Sequence, residues 1–175
     1  MGDLGDRLTR GDRAAFAELY DACADRVHHY LVVRLGSRED ADDLLQQTFL
    51  RMARSPSNLA AVENLPGYVF TIARNEAARL LADKSRLRRA SQLVAADLFC
   101  EATSDDQAAR EAAEELTAAL ERLPIEQREI VELKTSGGLT LAEIAAVTRL
   151  PPGTVATRYR TAIARLRQWL NKEMR

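Results

Sequence analysis

Cysteine is scarce in this chain: Cys23 and Cys100 are its only two, far apart and matching neither a metal-ligand nor a redox spacing. A disulfide scaffold is therefore excluded, and free thiols in a reducing compartment are expected. His28 and His29 are adjacent, so on a helix they point to different sides, and no Cys or carboxylate pattern completes a metal site around them. Aromatic residues are also few, at 5% against 46% hydrophobic residues dominated by Ala and Leu, a balance that suits helices rather than a sheet sandwich. No apolar run approaches the roughly 18 residues of a membrane span, and no charged-then-apolar signal opens the chain, so a cytoplasmic protein is expected. Also missing are a Gly-rich nucleotide loop and a nucleophile with a His partner in a motif; Gly137-Gly138 reads as a turn between helices. Nothing here points to an enzyme, a cofactor, a metal or a small-molecule substrate.

Net charge is close to nil as well, at −1, which alone predicts no nucleic-acid binding. The distribution is uneven. Residues 1–90 carry 14 basic and 13 acidic groups, residues 91–118 carry 1 and 7, and residues 119–175 carry 10 and 6. An acidic centre thus separates two less acidic ends, the last of them basic.

The first block, about 10–90, has helical periodicity throughout. Phe16, Leu19, Tyr20, Cys23, Val27, Tyr30 and Leu31 recur at three- and four-residue steps and predict a long helix with one buried stripe. Gly36-Ser37 ends it, and Ser37 with Asp40 resembles a capping box opening a second helix to about Arg54, with Leu44, Leu45, Thr48, Phe49 and Met52 inward. Asn64-Leu65-Pro66 starts a third helix that carries Tyr68, Val69, Ile72, Ala73, Ala77 and Leu80 and ends in a basic run, Lys84 to Arg89. The Ala-rich acidic stretch 91–115 lacks large apolar residues and reads as a flexible linker, partly helical toward its end. The rest, interrupted by Pro124, Gly137-Gly138 and Pro151-Pro152, predicts a compact four-helix domain.

The segment Leu139–Leu170 is the most informative. It reads as a helix, a tight turn and a second helix beginning at Pro152, a first-turn position that tolerates proline. From Val147 onward Glu173 is the only acidic residue, against seven Lys and Arg residues. Val155, Tyr159, Ala162, Leu166 and Trp169 or Leu170 share one face and are expected to pack on Leu141, Ile144, Ala145 and Leu150. The outer face holds Thr154, Ala156, Thr157, Arg158, Arg160, Thr161 and Arg165. Short hydroxyls and arginines near a helix start reach phosphates and base edges, the arrangement of a helix-turn-helix in a major groove; a merely solvated basic face is the plainer alternative.

Two motifs give the chain a family resemblance. Asp40-Ala41-Asp42-Asp43-Leu44-Leu45-Gln46-Gln47-Thr48-Phe49-Leu50-Arg51, followed by Tyr68-Val69-Phe70-Thr71-Ile72-Ala73-Arg74-Asn75, is similar to D-A-E-D-L-V-Q-E-V-F-L-R and W-L-Y-R-I-A-R-N of the extracytoplasmic-function (group IV) RNA polymerase sigma factors. Leu123-Pro124 through Gln127-Arg128-Glu129, and on to Gly153-Thr154-Val155-Ala156-Thr157-Arg158, is similar to that family's L-P-x-x-Q-R-E and E-G-T-V-K-S-R. Departures are Tyr68 for a usual Trp, Pro66-Gly67 for a more polar pair, Arg149 for Gly, Pro151-Pro152 for Ser-Glu and Ala156 for Lys.

The resemblance implies an all-α fold of two small helical domains. These would be a sigma region 2-like bundle at 8–90 and a helix-turn-helix, region 4-like bundle at 116–175, joined by an acidic linker at 91–115. It implies binding to core RNA polymerase, at the largest-subunit clamp coiled coil and the flap, and to promoter DNA, with an anti-sigma factor as a further partner. Asp40, Asp42, Asp43, Gln46, Gln47 and Arg51 would face polymerase. The loop 55–66 with Asn58 and Asn64, the rings of Tyr68 and Phe70, and the cations Arg74, Arg79, Lys84, Arg86 and Arg88 would melt and hold the −10 element. The outer face of the last helix would read the −35 element. A Tyr–Phe pair on a helix is as often core as stacking surface. An autonomous helix-turn-helix regulator and a sigma-like mimic that captures an anti-sigma factor are the alternatives.

Overall fold

The computed structural model describes residues 2–54, 59–90 and 107–173, and every regular element among them is an α-helix. The chain divides into two compact units, Met1–Leu98 and Phe99–Arg175. In the first, α1 (Gly2–Thr9) precedes α2 (Arg13–Leu35), α3 (Arg38–Arg54) and α4 (Leu65–Ala90). The last three pack on one another as a three-helix bundle, and α1 lies on α2.

Local chemistry sets each boundary. Asp12 caps α2, its Oδ1 accepting from the amides of Ala14 at 2.9 Å and Ala15 at 3.4 Å. Gly36 ends α2 in the left-handed region at φ 66, where a glycine carries no Cβ penalty. Ser37 Oγ accepts from the Asp40 amide at 3.2 Å, half of the expected capping box; the Asp40 carboxylate turns instead to Lys84 on α4. Asn64 Oδ1 accepts from the Gly67 amide at 3.0 Å and so starts α4.

The core of this unit joins Leu19, Cys23, Val27, Tyr30 and Leu31 of α2 to Ala41, Leu44 and Met52 of α3 and Val69, Phe70, Ala73 and Ala77 of α4. Three aromatic residues expected in the core are not fully buried. Tyr20 is 45% exposed rather than buried, and Phe16 and Phe49 are half-buried, because the three-helix bundle leaves the outer edge of the α2–α3 seam uncovered. Helix α1 lies before the periodic block and was not expected; Leu8 anchors it, fully buried. Gly5 lets it approach closely, since a Cβ there would meet the Leu59 carbonyl at 2.9 Å.

The second unit holds α5 (Gln107–Glu121), α6 (Ile125–Thr135), α7 (Leu141–Thr148) and α8 (Pro152–Glu173). Of the stretch expected as linker, 91–106 lies outside the described residues and 107–115 forms the start of α5. Thr140 and Glu143 make a complete capping box on α7: Thr140 Oγ1 accepts from the Glu143 amide at 3.2 Å, and Glu143 Oε2 accepts from the Thr140 amide at 2.8 Å. Arg149 ends α7 at φ 57, the left-handed conformation that explains why glycine suits this position.

The inner face of α8 packs on α7 as expected, and on α5 and α6 besides. Ala162 and Leu166, with Tyr159, Trp169 and Leu170, close on Ala119 of α5, Val131 of α6 and Leu123 between them, while α7 also touches α8. Length explains this: the 22 residues of α8 span about 33 Å, and the 8 residues of α7 cover only about 12 Å of it. Beneath lies Glu132, a buried carboxylate whose Oε1 accepts from Arg128 Nε at 2.6 Å.

Candidate nucleic-acid and polymerase surfaces

In the second unit the turn between α7 and α8 presents the start of α8 outward. Thr157 and Arg160 are exposed, and Thr154 and Ala156 are half-buried. Arg158 Nη2 lies 2.7 Å from Glu126 Oε2 at the start of α6, and Arg165 Nη1 donates to Gln127 Oε1 at 3.1 Å. Thr161 Oγ1 donates to the Thr157 carbonyl at 3.0 Å. The seven expected residues are spread over the outer half of α8, and two of its cations are engaged by α6. The sequence did not single out Glu126, although its place in the L-P-x-x-Q-R-E motif put it beside Gln127.

In the first unit α4 carries the second basic face. Arg79 is exposed, with Nη1 3.5 Å from Glu76 Oε1, and Arg86 Nη2 lies 3.4 Å from Asp83 Oδ1. Arg74 is half-buried. Lys84 pairs with Asp40 of α3. Arg88 belongs to α4, but its side chain, like the whole of Asn58, lies outside the described residues. Asn64 is exposed, yet its oxygen is committed to the helix cap. Tyr68 is half-buried, one turn into the helix.

Phe70 is corrected outright. It is fully buried, its ring 5.9 Å from that of Tyr30 and 5.7 Å from the Arg26 guanidinium carbon. Its position two residues after Tyr68 turns it onto the opposite side of the helix, so of the two rings only that of Tyr68 reaches the surface.

The residues expected to face polymerase divide in the same way. Asp43, Gln46 and Gln47 stand exposed along α3. Asp42 Oδ1 lies 2.7 Å from His28 Nε2, Asp40 pairs with Lys84, and Arg51 pairs with Glu76 of α4. Beside them opens a groove of about 820 Å³ between α2 and α3. Phe16, Tyr20, Phe49 and Leu50 floor it, with Asp21 and Asp42 among its lining residues; the Tyr20 and Phe49 rings tilt against each other at 4.8 Å. Leu50 is 48% exposed. Apolar and acidic side chains thus line one open groove. Sequence periodicity missed it by assigning Phe16, Tyr20 and Phe49 to the core.

Among the described residues no group of three or more His, Cys, Asp or Glu side chains is placed to hold a metal ion, and no helix is long and apolar enough to cross a membrane. The Cys23 thiol is buried and donates to the Leu19 carbonyl; burial pushes its pKa up to about 11, which keeps it unreactive at neutral pH.

Two all-helical units, the second a helix-turn-helix whose last helix is basic, have the architecture of a DNA-binding protein. Residues 19–87 match the family Sigma-70 region 2, and residues 113–166 match Sigma-70, region 4. The chain is 35% identical over 169 residues to the ECF RNA polymerase sigma factor RpoE of Cereibacter sphaeroides, covering 91% of this chain and 88% of that protein. It is 30% identical to BldN of Streptomyces coelicolor, another ECF sigma factor, covering 100% of this chain and 67% of that one. Its fold is similar to that of the sigma factor RpoE solved with the anti-sigma factor NepR from Bartonella quintana (TM-score 0.70, 22% identity, 89% of this chain and 96% of that one). It is also similar to CnrH solved with the cytosolic domain of CnrY (TM-score 0.71, 20% identity, 98% and 97%). The chain belongs to the extracytoplasmic-function family of RNA polymerase sigma factors, and among the readings drawn from its sequence the matches favour the sigma factor over the autonomous regulator and the mimic.

Proposed function

We propose that this protein works in the cytoplasm, binding core RNA polymerase through α3 and the α2–α3 groove and directing it to promoters. In this reading the clamp coiled coil of the largest subunit lies across Asp43, Gln46, Gln47 and Leu50. Tyr68 stacks on an unpaired base of the −10 element while Arg74, Arg79, Lys84 and Arg86 follow the strand phosphates. The start of α8, from Thr154 to Arg165, enters the major groove at the −35 element, with the flap supporting the second unit. The protein supplies recognition and strand capture, and the chemistry of RNA synthesis belongs to polymerase. Its relatives of similar fold bound to NepR and CnrY support an anti-sigma factor as a further partner.

The observation that carries this reading is the open apolar groove beside exposed Asp43 and Gln46, on the helix where the family resemblance expects polymerase. Leu50→Glu tests it. The residue is nearly half exposed, so the fold is expected to tolerate the change, and capture of core polymerase by the full chain is expected to drop at least tenfold. Undiminished capture by a folded Leu50→Glu protein refutes the docking surface.

A further inference from the structure

Each DNA-facing helix has one of its cations held by a carboxylate from a neighbouring helix. On α4, Lys84 pairs with Asp40 of α3. On α8, Arg158 lies 2.7 Å from Glu126 of α6. The two units have separate cores and unrelated sequences, so the arrangement arises twice within one chain. In both cases the carboxylate oxygen occupies the place that a phosphate oxygen takes against the same donor.

Neither pair is a buried structural bridge. Lys84 is 44% exposed and Arg158 30% exposed, so both cations sit at the surface where DNA is expected. Glu126 stands in the first turn of α6, where the helix dipole favours an anion. Burial would raise the Asp40 pKa, but hydrogen bonding by Lys84 and Ser37 outweighs it and holds the group below its ordinary value.

We propose that Asp40 and Glu126 are built-in stand-ins for DNA phosphates, which occupy Lys84 and Arg158 and so hold down the affinity of the free protein for non-specific DNA. The inference rests on the reading above that α4 and α8 contact DNA. A strand phosphate must displace the carboxylate before it gains the cation. Exposed pairs of this kind shift an equilibrium by up to about fivefold, so each pair is a damper rather than a lock. Non-specific affinity is the quantity on which such a damper acts, because it is almost entirely phosphate contact and the genome offers a vast excess of such sites. A free sigma factor damped on both faces remains available to polymerase. Sequence-specific contacts made by the holoenzyme add terms that a single carboxylate does not match.

The test is fluorescence anisotropy of the full chain on a labelled non-specific duplex and on a labelled single strand, across a salt series. Glu126→Gln is expected to tighten duplex binding by about two- to fivefold. It should also steepen the slope of log affinity against log salt by about 0.9. Asp40→Asn is expected to tighten single-strand binding over the same range, with a slope change of about 0.7. Both gains should vanish in the Arg158→Ala and Lys84→Ala backgrounds respectively. Exposed Glu121→Gln and Glu39→Gln, which change net charge equally, should leave the slopes unchanged. If Arg158→Ala and Lys84→Ala weaken binding but Glu126→Gln and Asp40→Asn do not tighten it, or tighten it regardless of the cation, the stand-in role is wrong and the DNA contacts stand. If the two cation variants change neither affinity nor slope, the DNA reading fails and the inference fails with it.

Discussion

Truncating Arg128 to alanine is expected to destabilise the second unit by about 3 kcal/mol. The Glu132 side chain is 0% exposed, and Arg128 Nε reaches it at 2.6 Å. Without that cation the carboxylate is stranded in the core, and breaking a buried pair from one side typically costs about 3–5 kcal/mol. Two features bring the figure to the low end: Arg128 is 25% exposed, so water follows it out, and Glu132 keeps a further interaction. Glu132→Leu should lose less, about 1 kcal/mol, because Arg128 is near enough to the surface to carry its charge into water. The assay is urea unfolding of the full chain followed by fluorescence of Trp169. This is the only tryptophan, half-buried in the second unit with the Arg122 guanidinium carbon 4.6 Å from its ring centroid, so it reports that unit alone. No loss for Arg128→Ala, or a larger loss for Glu132→Leu than for Arg128→Ala, refutes the reasoning.

Phe70→Ala should cost the first unit about 3–5 kcal/mol, read by circular dichroism on heating, because it empties a fully buried ring site. Tyr68→Ala should cost less than about 1.5 kcal/mol yet abolish strand opening as read by permanganate footprinting, which separates the core ring from the stacking ring. Arg149→Gly should stabilise the second unit by about 1 kcal/mol, again by Trp169 fluorescence, since it relieves a left-handed side-chain residue at φ 57. The Asp40 carboxyl, whose pKa is lowered from its ordinary 3.8, contributes stability that is present above that value and lost as pH falls through the lower one. Carboxyl NMR should find it titrating below 3.8 in the native protein and moving up in Lys84→Ala.

The helical elements were legible because their signals are local. Apolar spacing located α2, α3 and α4, Gly36 marked a stop, and Pro152 marked the start of α8. The Thr140-x-x-Glu143 capping box was also written in the chain and went unread. What sequence could not supply was which side of a stripe would find cover. Phe16, Tyr20 and Phe49 fit the core period as well as Leu19 does, but a three-helix bundle leaves their edge open, and only the packing reveals a groove there. Phe70 is the converse: a motif aromatic expected at the surface, taken inward by the two-residue offset from Tyr68. The charged residues proved hardest, because Asp40, Arg51 and Arg158 each meet partners from another helix, at separations no local pattern encodes.

The most direct test of the central claim is reconstituted transcription: the purified full chain added to bacterial core RNA polymerase on a genomic fragment library, with all new start sites mapped. Start sites that share two upstream elements at fixed spacing, and that disappear with Leu50→Glu, are the predicted result. DNA binding by the chain alone with no capture of core polymerase and no new start sites would contradict it.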